Sequence, residues 1–106
     1  NDDQTLPILS LGGKGVISVT GNIIPDEMHD ICEAYFNGDV KKACQLQLDI
    51  LGVFNAAFCE VNPIPIKGAM NMLGFNVGEC HLPLIEMSDE HKLLVRAELK
   101  KFGLIK

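Results

Sequence analysis

Gly12-Gly13-Lys14-Gly15-Val16-Ile17-Ser18-Val19-Thr20-Gly21-Asn22 is the stretch on which the reading of this chain turns. A short run rich in Val and Ile, bounded by glycine turns and followed by Pro25 and a helical pattern, has the signature of a parallel strand inside a βα unit. A strand of that kind needs neighbours on both edges and layers on both faces. The remainder of the 106 residues holds no second run of comparable strength. The chain therefore reads as a piece of something larger, and its opening on Asn1-Asp2-Asp3 without an initiator methionine points to a fragment or a processed chain.

Helices are expected on either side of that run. Upstream, Asp2-Asp3 lead into Leu6, Ile8, Leu9 and Leu11 before Gly12-Gly13, the pattern of a short helix with acidic residues at its start and glycine past its end. Downstream, Pro25-Asp26-Glu27 open a helix carrying Met28, Ile31, Cys32, Tyr35 and Phe36 that stops at Asn37-Gly38. Asp39 caps the next, whose apolar positions Val40, Ala43, Cys44, Ile50, Leu51, Phe54, Ala57 and Phe58 keep a period of about 3.6, with Gln47 interrupting the stripe.

Asn62-Pro63-Ile64-Pro65 then forces an extended turn, because a residue before proline is pushed out of the α region. Pro65 suits the start of a helix over 66–73, closed by Gly74. Residues 75–87 read as an ordered loop packed by Val77, Leu82, Leu84 and Ile85. Ser88-Asp89-Glu90 cap a last helix with a Val95, Leu99, Phe102 stripe and Gly103 as its stop. Composition shifts near Gly38, which places residues 1–38 in a helix–strand–helix portion and 39–106 in a helical domain.

An apolar fraction of 47% excludes a disordered chain and supports a packed core. With a net charge of −5 and no basic cluster beyond Lys41-Lys42 and Lys100-Lys101, the footprint of a nucleic-acid or anionic-membrane binder is missing. The apolar runs fall short of the roughly 18 residues needed to span a bilayer, and the expected location is cytoplasmic. Cys32, Cys44, Cys59 and Cys80 lack the spacing of zinc sites or redox pairs and read as reduced thiols, with disulfides left open.

Candidate chemistry is sparse. Gly12-Gly13-Lys14-Gly15 resembles a phosphate loop but precedes its strand, whereas phosphate loops follow a strand and open a helix. The loop 20–24 lies on the correct side for a ligand, with a plain connection as the competing reading. His29 and Glu33, four apart on one helix, suit two metal ligands or a solvated face, and no third ligand is implied. Glu79-Cys80-His81 sets a carboxylate, a thiol and an imidazole side by side, but neighbours in an extended loop point to opposite sides. Lys67, among apolar residues, suits a desolvated Schiff-base amine or, more plainly, a lysine with a packed stem and an exposed charge. No residue is assigned a catalytic role, and no metal or cofactor is expected.

Asn1-Asp2-Asp3, Leu11-Gly12-Gly13, Gly15-Val16-Ile17-Ser18-Val19-Thr20, Asn22, Asn62-Pro63-Ile64-Pro65-Ile66-Lys67, Leu73-Gly74 and Leu82-Pro83-Leu84 together form a recognisable pattern. Along essentially the whole chain it resembles the carboxyl-terminal part of the dihydrodipicolinate synthases. The resemblance implies an α/β fold: the last portion of a (β/α)8 TIM barrel over 1–38 and a helical carboxyl-terminal domain over 39–106. It implies a homo-oligomeric enzyme, similar to tetramers, that joins pyruvate to aspartate semialdehyde through a lysine Schiff base in lysine and diaminopimelate biosynthesis. The Schiff-base lysine, the proton-relaying tyrosine and the threonines that hold the pyruvate carboxylate would lie upstream, in a barrel part that is this chain's expected partner.

One site carries over. Ile17 matches the position whose main-chain carbonyl borders pyruvate and the Schiff-base lysine, and Lys67 does not match that lysine. The chain alone is expected to be inactive and to need its upstream part or other copies for stability. Two other readings are an aldolase of the same superfamily acting on sialic acid or a 2-keto-3-deoxy sugar acid, and a non-catalytic helical interaction module.

Overall fold

The computed structural model describes residues 1–106. A 3-10 turn (Asp2–Gln4) leads into α1 (Thr5–Ser10), and a second 3-10 turn (Thr20–Asn22) precedes α2 (Pro25–Phe36). Then follow α3 (Val40–Asp49), α4 (Leu51–Ala57), α5 (Ile64–Met72) and α6 (Asp89–Phe102). The packing divides the chain into two units, Asn1–Phe54 and Asn55–Lys106, with the turn at Gly38 inside the first.

No β-strand forms. This overturns the expected α/β class and the TIM-barrel portion assigned to residues 1–38. The physical reason is pairing: a strand exists only as part of a ladder, and the chain offers the Val16–Val19 run no second strand. Residues 13–18 carry no regular structure, and the Ile17 side chain, expected inside a barrel core, stands fully exposed at 102%.

In the first unit α2 packs along α3 and against α1. The face of α2 that turns inward carries Met28, Ile31 and Ala34, at the spacing of one helical stripe, while Phe36 from the same expected stripe is exposed. Leu9, Ile24, Ile31, Ala43 and Ile50 complete the core. Burying a side chain such as Ile31 contributes about 1.5–3 kcal/mol.

Local signals set the helix ends. Pro25 opens α2 with Asp26 and Glu27 in its first turn, and the Asp39 carboxylate accepts from Lys42 N–H at 3.1 Å to cap α3. Gly38 takes φ +83°, a conformation other residues adopt at a cost, so that the Asp39 N–H reaches the Ala34 carbonyl and closes α2. The single long helix expected after Asp39 is broken at Ile50. Ile50 is fully buried in a tightened turn, and Gly52 beyond it is a poor helix former.

The second unit is built on α5 and α6. Ile64, Pro65, Ile66 and Ala69 of α5, Val95 and Leu99 of α6, and Met87 between them are buried. Helix α5 opens at Ile64, two residues ahead of its expected start, and the Asn62–Pro63 and Leu82–Pro83 peptides are cis. Ser88 Oγ accepts from His91 N–H at 3.3 Å at the head of α6, and Gly103 closes its other end. The loop 75–87 is held differently from expectation: Leu82 and Ile85 are exposed. Polar side chains of α5 fasten it instead. Asn71 accepts from Val77 N–H (2.8 Å) and donates to the Gly78 carbonyl (3.1 Å), and Lys67 Nζ donates to the Glu79 carbonyl (2.5 Å). Gly68 lets Met87 lie close, since a Cβ there would meet Met87 Cε at 2.7 Å.

Candidate functional site

The glycine-bounded run 12–22 ends in a compact polar knot. Asp2, only 2% exposed, turns one carboxylate oxygen onto three donors: Val19 N–H (3.1 Å), Thr20 N–H (2.7 Å) and the Thr20 hydroxyl (2.7 Å). Ser18 Oγ accepts from Gly21 N–H at 2.7 Å. The amides at the start of the 3-10 turn Thr20–Asn22 are thus satisfied by side chains of the chain itself. This answers the ligand-loop reading of residues 20–24: the place where an anion would sit at this turn is taken by Asp2.

Behind Asp2 stands Gln47. Its Nε2 donates to the Asp2 carbonyl at 2.9 Å, and its Oε1 accepts from Leu6 N–H at 2.9 Å. Thr5 Oγ1 donates to the same Asp2 carbonyl at 2.9 Å. Asp2, Thr5, Thr20 and Gln47 are all buried, so the knot obeys the rule that interior polar groups are paired. One exception lies beside it: Asp3 Oδ1 is buried without a hydrogen-bond partner. Sequence reasoning took Asp2 for a helix-start charge and missed the knot. The available signal was Gln47, a polar residue in an otherwise apolar stripe.

Between this knot and α1 lies the open segment with Ile17. The N–H and C=O of Ile17 make no hydrogen bond within the chain. Gly12-Gly13 are engaged in ending α1, where Gly12 N–H bonds the Leu9 carbonyl (3.0 Å) and Gly13 N–H the Ile8 carbonyl (2.9 Å). Those two amides are therefore not presented to a phosphate.

The other candidates lie apart from the knot. His29 Nε2 and Glu33 Oε2 are 2.8 Å apart on the exposed side of α2, and ligand atoms of His29, Asp30 and Glu33 lie within 4.8 Å of one another. The contact is that of an i,i+4 pair on a solvated helix face. The four cysteines are free thiols, and burial pushes the pKa of Cys32 and Cys59 up, away from the reactive thiolate.

In the second unit a cleft of about 440 Å³ is lined by Lys67, Asn71, Cys80, Met87, Lys92 and Arg96 among others. Lys92 is paired with Glu86 (2.6 Å) and Asp89 (3.4 Å), and the hydrogen bond it donates to Glu86 holds its pKa above the usual lysine value. Lys67 is occupied by the Glu79 carbonyl, which leaves it a structural lysine. Nearby, Glu60 Oε1 accepts from Ser88 N–H (2.9 Å) and meets His91 Nδ1 at 2.6 Å. The hydrogen bond with His91 holds the Glu60 pKa below the ordinary carboxylate value. No nucleophile–base pair emerges from these contacts.

Comparison with known proteins supplies what the side chains do not. The model of the dihydrodipicolinate synthetase family matches residues 1–102. The chain is 55% identical over all its 106 residues to a 4-hydroxy-tetrahydrodipicolinate synthase of Thermoanaerobacter sp. (strain X514), and it spans 36% of that relative's length. The crystal structure of dihydrodipicolinate synthase from Thermotoga maritima superimposes with a TM-score of 0.96 at 41% identity, covering 99% of this chain and 36% of that one. The chloride-inhibited dihydrodipicolinate synthase from Acinetobacter baumannii, complexed with pyruvate, superimposes with a TM-score of 0.92 at 35% identity, covering 98% of this chain and 36% of that one. By sequence over its whole length and by structure alike, the chain belongs to the dihydrodipicolinate synthetase family.

Proposed function

We propose that this chain is a section of a 4-hydroxy-tetrahydrodipicolinate synthase that condenses pyruvate with aspartate semialdehyde through a lysine Schiff base, in a homo-oligomeric enzyme. The observation that carries the reading is identity of 55% to such a synthase along the entire chain. The remainder of the synthase supplies the Schiff-base lysine and the groups that bind the pyruvate carboxylate. This chain supplies backbone.

The Ile17 carbonyl borders pyruvate and accepts a hydrogen bond from the lysine ammonium or from the carbinolamine that precedes the imine. A main-chain oxygen suffices for that task, and its freedom from partners within the chain supports the assignment. The exposed Ile17 side chain and the unpartnered Asp3 Oδ1 likewise favour surroundings supplied by the rest of the synthase.

The test is intact mass spectrometry of the full-length synthase and of the 106-residue chain after incubation with pyruvate and borohydride. A reduced pyruvyl adduct on the long protein and none on the short one is the expected result. Turnover by the purified short chain, or absence of the adduct from the full-length protein, overturns the reading.

A further inference from the structure

We draw no further inference here: the strongest candidate, the cleft between α5, the 75–87 loop and α6 that Lys67, Lys92 and Arg96 line, carries nothing, because the chain spans 36% of its relative's length and nothing in the structure shows what covers that cleft.

Discussion

The two units use polar groups in opposite ways. In Asn1–Phe54 the polar contacts that join segments far apart in sequence lie inside: Asp2 to Thr20, and Gln47 to Asp2 and Leu6. In Asn55–Lys106 they lie at the rim, where Glu60, His91 and Lys92 are partly exposed. A buried polar network is costly to break because each orphaned group keeps its desolvation penalty. A rim contact is screened by water and contributes little. The long-range polar contacts of the first unit thus tolerate little change, whereas those at the rim of the second respond to solvent.

The sharpest way to break this contrast is Asp2→Ala, which orphans three donors at once. A loss of about 3 kcal/mol or more is expected in urea denaturation of the protein that carries it. Gln47→Leu keeps the volume but leaves Leu6 N–H unpaired, and a loss of about 2 kcal/mol is expected by the same measurement. Were either change neutral, the first unit would not owe its rigidity to the knot.

Two glycines extend the comparison to packing. A Cβ at Gly13 would stand 2.8 Å from the Ile8 carbonyl oxygen, which is backbone and cannot step aside. Gly13→Ala is expected to cost about 1–3 kcal/mol. At Gly68 the obstacle is the tip of Met87, which is flexible. Gly68→Ala also gains helix propensity, so its net effect is expected within about 1 kcal/mol of zero. Thermal unfolding of the two variants side by side measures the difference.

The smallest expected effect is the dependence of the rim on pH. Glu60 has a lowered pKa because of its hydrogen bond with His91, so its contribution is present above the unfolded carboxylate pKa and is lost as pH falls through the folded one. Glu60→Gln should therefore lower the melting temperature slightly at pH 7 and not at all once the pH lies below the folded pKa. A difference that persists in acid would show that Glu60 acts through shape and not through charge.

Much of the local structure was legible because its causes are local. Pro25-Asp26-Glu27 with Gly38, Asp39, and Ser88 with Gly103 each carry their own start or stop chemistry within a few residues. The Val16–Val19 run misled for the same reason: its composition reports that it suits a ladder, while a ladder also requires a second strand from elsewhere. The polar knot was not legible, because Asp2 and Gln47 look like an ordinary helix-start charge and a blemish in an apolar stripe until the fold brings them together.

From sequence alone came the start and stop of α2 and α6, the start of α3, the stripe that α2 turns inward at Met28 and Ile31, and the family to which the whole pattern points. Tertiary structure alone decided that the strand-like run stays unpaired, that Leu82 and Ile85 face outward, and that Asp2, Thr20 and Gln47 meet in the interior. Capping and periodicity depend on residues within one or two turns of each other and are written directly in the order of amino acids. Pairing and burial of polar groups depend on which distant segments arrive together, and that is settled only when the chain has folded.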